Sequence, residues 1–550
     1  MCHGPLTTYK RIIMNTKYLW LLIILLGFAA CNTEEDFITT EAPEALPELT
    51  AGTANFSNYV ALGASFTSGF TDAALFKASQ QNSFPNIMAQ QFANVGGGNF
   101  SQPLTSDNFG GLAVGGTRIQ NPRLVFGGAG PVPLESIIGP ITVGTDIALN
   151  NPTGPFNNLG VPGAKSFHLI APGYGNLANF PAAANPYAVR LTGSSPNATL
   201  LELAMAQNPT FFTLSEIGGN DVLGYATTGG DGTNAITGTA TFDFAFNTLV
   251  TTLTSGGAKG IVTNVPYITD LPHFTTVPYN PLSPLNPAFG PQIPTLNGVF
   301  GQLNQVFAFL NVPERSIVFS ETEASAVVIK DETLVDLSTQ ITDVLNASPT
   351  FPAFVQSFGL PVQAAPLVAS LLGTIYGQAR QANENDLFVL PSSSVIGTIN
   401  MDSVAFLMSQ GLSQALAGQF SAEGITLPLA DKWVLLPSEQ QAIKEATDAY
   451  NATIESVASS NPNVALLDLN TLLQEASTTG IISDNFILTT NLVTGGAFSL
   501  DGIHLTARGY AYMANKFLET IDTAFESNFV ASGNVVDIGN YPTNYSPLLQ

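Results

Sequence analysis

Residues Phe56-Ser-Asn-Tyr-Val-Ala-Leu62 run directly into Gly63-Ala-Ser65-Phe-Thr-Ser-Gly69. The first segment ends in four apolar or aromatic residues and reads as a β-strand. The small residues that follow turn the chain and leave a serine at the strand's carboxyl end. Three further segments have the same character: Pro209-Thr-Phe-Phe-Thr-Leu-Ser-Glu-Ile217, which ends at Gly218-Gly-Asn220-Asp221; Lys259-Gly-Ile-Val-Thr-Asn-Val265, which stops at Pro266; and Asn463-Val-Ala-Leu-Leu-Asp-Leu469. Between them apolar residues fall at helical spacing. Phe242, Phe244, Phe246, Leu249, Val250 and Leu253 do so within 242–255, and Ile443, Ala446, Tyr450, Ile454 and Val457 within 439–458, where Ser438 and Gln441 are placed as a capping box. Apolar strands alternating with amphipathic helices imply an α/β fold with a parallel sheet covered on both faces. Such sheets bind ligands beyond the carboxyl ends of their strands, where Ser65 and Asn220 fall.

The chain has 550 residues, 45% of them apolar and only 10% charged, with 50 glycines and 36 prolines. That is enough for a large core, with many loops between short elements. Forty acidic residues against 16 basic ones give a net charge of −24. Lys10, Arg11 and Lys17 precede the apolar run from Tyr18 to Ala30, so removal of that leader leaves 13 basic residues and a net charge of −27. A surface this acidic repels phosphate backbones, which argues against nucleic acid as a partner.

The apolar run ends at Cys31 and is too short for a permanent span, so it reads as a cleaved signal. Leu26-Gly-Phe-Ala-Ala-Cys31 resembles a bacterial lipobox, with Phe28 where a small or branched aliphatic residue is usual. The resemblance implies a lipid on Cys31 that attaches the protein to the outer membrane, facing the periplasm or the cell surface. Glu34-Glu-Asp36 resembles the acidic export tag of surface lipoproteins. Cys2 leaves with the leader, so the mature chain forms no internal disulfide.

The expected organisation is a signal peptide and lipobox at 1–31, an acidic linker at 32–54, a main domain at 55–526 and a tail at 527–550. The main domain carries insertions at about 70–155 and 270–430. Nothing between Asp343 and Arg380 is charged, and Pro352, Pro361 and Pro366 break up its apolar residues. This stretch reads as the private core of an inserted subdomain or as an apolar cap over a cleft, and not as a membrane helix.

Four blocks carry candidate chemistry: Ser65 in its tight turn, the glycine loop Asn158-Leu-Gly160-Val-Pro-Gly163-Ala164, Gly218-Gly-Asn220-Asp221, and Asp501-Gly-Ile-His504. A serine hydroxyl becomes nucleophilic when an imidazole within about 3 Å takes its proton and an acceptor holds the other ring nitrogen. Asp501 lies three residues before His504, and a turn through Gly502 can return its carboxylate to the ring. The other histidines beyond the leader, His168 and His273, read as structural or cleft-lining. The backbone N–H groups of Ser65 and Gly163 and the side-chain amide of Asn220 are candidate oxyanion donors. Gly160 competes with Gly163 for that role. No metal-ligand spacing and no glycine-rich phosphate loop occurs, so neither metal nor cofactor is expected.

In this order the four blocks resemble the SGNH hydrolase superfamily, the GDSL esterases and lipases. The resemblance implies a flavodoxin-like three-layer α/β/α fold with large insertions. It implies Ser65 as nucleophile, Asp501 and His504 as its acid-base partners, and Ser65, Gly163 and Asn220 as the oxyanion hole. Ala64 stands where the family has an aspartate that is not a reacting group. The expected activity is hydrolysis of a carboxylic ester through an acyl-enzyme, with a lipid or acyl ester favoured. The alternatives are a carbohydrate or acetyl esterase of the same fold and a non-catalytic surface lipoprotein that binds lipid or glycan.

Overall fold

At the centre of the molecule Gly63 pairs with Gly160 on one side and Ser215 on the other, so three strands end level with one another. The computed structural model describes Met1 and residues 45–550, and Cys31 with its lipobox lies outside the described residues. The main sheet has five parallel strands: β1 (Tyr59–Gly63), β2 (Asn158–Gly160), β3 (Phe211–Ser215), β4 (Lys259–Thr263) and β5 (Val464–Leu467). Their spatial order is β5-β4-β3-β1-β2. The chain steps outward from β1 to β2, then reverses and lays β3, β4 and β5 on the other side. This reversal is the switch point of a doubly wound sheet, and it opens a crevice between the loops that follow β1 and β3.

Every residue of β1 and β3 is buried on both sides of the pleat, which requires helices over both faces. Those helices are α1 (Ser65–Ser68), α2 (Phe84–Ala93), α3 (Leu200–Met205), α4 (Gly219–Thr227), α5 (Thr239–Thr254), α6 (Pro437–Ser460) and α7 (Ala507–Phe525). α2 packs on α7, where the rings of Phe84 and Phe517 stack at 4.7 Å. α5 packs on α6 through Phe242 and Tyr450, whose ring centres lie 4.2 Å apart. Phe517 is fully buried, and its truncation to alanine would cost about 3–5 kcal/mol. Thr506 caps α7 by accepting the Gly509 N–H at 3.0 Å, and the apolar stripe from Tyr510 to Ile521 faces the core.

Several elements depart from the sequence reading. The glycine loop at 158–164 begins as β2, a three-residue edge strand too short and too polar to show an apolar pattern. Pro437 opens α6, because a residue without an N–H suits the first helical turn, so Ser438 lies inside the helix and not at its cap. The N-cap is Leu436, whose N–H donates to the side chain of Glu439 one turn on at 2.6 Å. α2 lies within the expected insertion at 70–155, yet it is the helix that connects β1 to β2.

Residues 527–550 are not a free tail. Phe529 and Ile538 are fully buried, and Asn82 donates to the Tyr545 hydroxyl at 2.9 Å. The end of the linker joins them, with the Thr50 N–H donating to Asn528 Oδ1 at 2.8 Å and the Thr53 N–H to Phe525 O at 2.7 Å.

Residues from Val277 to Leu436 build a second apolar core, which includes Phe351, Val355, Ala369, Leu372 and Tyr376 from the uncharged stretch. The private-core reading therefore describes these residues. Among the described residues no single helix is long and apolar enough to cross a membrane. The pair Phe351–Ser357 and Val362–Tyr376, sufficient by composition together, is bent by 115°.

Candidate active site

The level ends of β1, β2 and β3 explain why residues distant in sequence meet. Ser65 lies two residues beyond Gly63, Gly163 three beyond Gly160 and Asn220 five beyond Ser215, so their loops leave the sheet side by side. Ser65, Gly163, Asn220 and His504 line one cleft of about 710 Å³, whose other walls include Phe70, Leu124, Pro133 and Tyr187.

Ser65 is the first residue of α1, and its side chain sits in a residue only 6% exposed. The turn is held by a residue that the sequence reading did not single out. Glu216, just past β3, accepts the N–H groups of Ala64 at 3.0 Å, Phe66 at 2.8 Å and Thr67 at 2.8 Å. The Ser65 N–H is skipped and has no partner among the described residues, so it remains available at the cleft. Ala64 has no polar group with which to support the turn, and Glu216 supplies that support from across the sheet. Burial pushes the Glu216 carboxyl up to about 7, against the pull of its backbone hydrogen bonds and of nearby His504. Its backbone is left-handed, with φ at 58°, a conformation uncommon for residues other than glycine.

Asp501 and His504 sit on a loop closed by the bond from the Ser499 N–H to His504 O at 2.7 Å. Asp501 Oδ2 lies 2.8 Å from His504 Nδ1, and the two side chains are 10% and 13% exposed. Oδ2 also accepts the Ala73 N–H at 2.8 Å, while Oδ1 accepts from the backbone of Ile503 and His504 at 2.9 Å each and from Ser499 Oγ at 3.1 Å. Burial opposes ionisation of Asp501, but the His504 charge and these hydrogen bonds outweigh it and hold the carboxyl well below its ordinary range. With Nδ1 fixed on Asp501, Nε2 is the ring nitrogen free to exchange protons in the cleft. The ring lies 4.6 Å from that of Phe70 and 6.0 Å from that of Phe66, centre to centre. Ser65 Oγ and His504 make no direct hydrogen bond in the structure; such contacts often tighten only when substrate binds.

The donors separate clearly. The Gly160 N–H is taken by Asn158 Oδ1 at 3.0 Å, and a Cβ there would fall 2.4 Å from the Ser68 nitrogen, so Gly160 is a close-packing glycine beneath α1. Gly163 has φ at 79°, lines the cleft, and its N–H has no partner among the described residues. Asn220 uses one amide hydrogen on Ala164 O at 3.0 Å, which leaves the other for the cleft. Asp221 points away and holds the Ser166 N–H and hydroxyl at 2.9 and 2.8 Å.

Neither remaining histidine lines the cleft. His168 stacks on Tyr174 at 4.3 Å, and burial with the nearby Lys165 charge lowers its ring to about 4. His273 braces the loop that carries Asp501 and His504: its backbone N–H donates to Gly502 O at 2.9 Å, and its Nδ1 lies 3.3 Å from Asp501 O. Asp72 was also missed. It is buried in a left-handed turn and accepts the Leu500 N–H at 3.1 Å, and its signal was only an acid near the nucleophile block.

Comparison with protein-family models, curated proteins and solved structures finds no match. The cleft must be read from its own atoms. It joins a serine, an imidazole oriented by an ionised carboxylate, and three N–H donors from three different loops.

Proposed function

We propose that the chain is a serine ester hydrolase of the SGNH type. The observation that carries this reading is the meeting of Ser65, Gly163, Asn220 and His504 in one cleft, with His504 Nδ1 engaged by Asp501. In the proposed reaction His504 Nε2 takes the Ser65 proton as Oγ attacks the ester carbonyl. The negative charge that develops on the carbonyl oxygen is held by the N–H groups of Ser65 and Gly163 and by the Asn220 amide, donors of a kind each worth about 2.7–4 kcal/mol of barrier. Collapse of this intermediate expels the alcohol, which receives the proton from His504, and leaves an acyl group on Ser65 Oγ. Water, deprotonated by His504, then releases the acid. Asp501 keeps the ring in the productive tautomer and stabilises its protonated form.

The test is labelling of residues 32–550 with a fluorophosphonate, with the adduct mapped by mass spectrometry. An adduct on Ser65, abolished by Ser65→Ala and by His504→Ala, is the expected result. Absence of an adduct on folded protein would favour a surface binding protein, and an adduct on another serine would refute this site. Anchoring through Cys31 is proposed on the lipobox resemblance alone; loss of membrane attachment in Cys31→Ser tests it.

A further inference from the structure

A second cavity, of about 1170 Å³, opens between the insertion and the main domain. None of its lining residues is charged, although the chain carries 40 acidic residues. Four of its five hydroxyl groups are engaged by the protein itself. Thr276, Ser393, Thr398 and Thr426 each donate to a nearby backbone carbonyl at 2.6–2.8 Å, which leaves their carbon atoms toward the space. The other polar side chains of the wall are the Thr494 hydroxyl and the amides of Asn286, Gln292 and Gln419, and the remaining lining residues are apolar or glycine. Phe126 and Ile399 also lie on it with 41% and 47% of their surface uncovered.

The cavity connects to the cleft in two ways. The hairpin Leu124–Phe126/Pro131–Pro133 pairs Leu124 with Pro133 and Phe126 with Pro131. The first pair lines the cleft at Ser65 and the second lines the large cavity. Residues two apart on a strand share a face and lie about 6.6–6.8 Å apart, so one apolar face of the hairpin leads from one space to the other. On the opposite side Leu390, another lining residue, approaches Gly502 between Asp501 and His504, near enough for a Cβ there to lie 3.3 Å from its Cδ2.

We infer that the second cavity holds the long alkyl chain of an ester whose reacting group sits at Ser65. The ester half of this statement rests on the hydrolase reading; the cavity's preference for a chain does not. Gly130 lines the cavity, its φ lies outside the left-handed region, and the space where its Cβ would stand is open. Gly130→Trp therefore adds a large side chain at the cavity wall whose Cβ meets no atom within 4 Å. The experiment measures kcat/KM for p-nitrophenyl esters from butyrate to palmitate, and direct binding of cis-parinaric acid to Ser65→Ala with and without Gly130→Trp. The expected results are a rate that rises with chain length, and a palmitate-to-butyrate ratio that falls about tenfold in Gly130→Trp, the equivalent of about two methylenes losing burial. Parinaric acid binding falls in parallel. Active enzyme with a flat chain-length profile, or with a ratio and probe binding untouched by the tryptophan, overturns the inference and leaves the hydrolase reading intact. Probe binding that Gly130→Trp removes, in a protein that hydrolyses no ester, sustains the chain site and refutes the hydrolase. An inert protein that binds no probe refutes both.

Discussion

Replacement of Glu216 by glutamine alters the support of the nucleophile and nothing in the proposed reaction itself. Glutamine keeps one carbonyl oxygen, which can serve the Ala64 and Thr67 N–H groups now held by Oε1 at 3.0 and 2.8 Å. Its amide nitrogen then faces the Phe66 N–H, which Oε2 now holds at 2.8 Å, donor against donor. A hydrogen bond to a charged acceptor is lost, worth about 1.5–3 kcal/mol, and a buried N–H loses its partner. A turn displaced by such a change misplaces both the Ser65 hydroxyl and its N–H, and a shift of the order of 1 Å costs about a hundredfold in rate.

The same carboxyl has a thermodynamic signature. It is pushed up to about 7 from an ordinary 4.5, so the folded state holds its proton more tightly than the unfolded chain does. Its favourable contribution to folding is complete below the lower value and is lost as pH rises through about 7, a difference of about 3 kcal/mol. Ionised Glu216 is thus the form that serves the turn best and the fold least. The assay is the second-order rate of fluorophosphonate labelling as a function of pH, alongside thermal unfolding. In Glu216→Gln the rate should fall about a hundredfold, its acid limb should lose one proton of steepness, and stability should no longer decline through neutral pH on this group's account. Wild-type labelling rates with an unchanged acid limb in Glu216→Gln would refute the reasoning.

Asp501→Asn should lower kcat for any ester substrate by about 10⁴, because the amide no longer fixes the His504 tautomer; steady-state kinetics check this, and a loss under tenfold would contradict it. Asn220→Ala should lower kcat by about 10²–10³ with little change in KM, as measured on the same substrate. Gly160→Ala should destabilise the protein by about 1–3 kcal/mol in denaturant unfolding, because its Cβ would lie 2.4 Å from the Ser68 nitrogen.

What the sequence revealed follows from how local each signal is. β1, β3, β4 and β5 were legible because a strand buried on both faces must be apolar along its length. Their observed bounds lie within the segments first read as strands, or one residue beyond, as at Gly63. β2 was not legible, since its Asn158 is polar for a tertiary reason: its amide donates to Thr67 O at 2.8 Å beneath the nucleophile turn. Asp501 and His504 were legible because three residues and a glycine suffice to join them. Glu216 was not, because its partners lie about 150 residues earlier in the chain and nothing near it in sequence hints at them. The insertion at 270–430 showed its apolar content, but its connection to the cleft depends on a hairpin far away in sequence.

Arg123 adjoins Leu124 of the cleft wall and is fully buried, with Asn108 O at 2.9 Å and Ser546 O at 2.7 Å as acceptors. A guanidinium cannot stay dry without such partners. Removal of residues 545–550 therefore takes two backbone acceptors from a buried arginine more than 400 positions earlier in the chain, and the cost falls on the cleft wall beside Leu124 as much as on the segment removed.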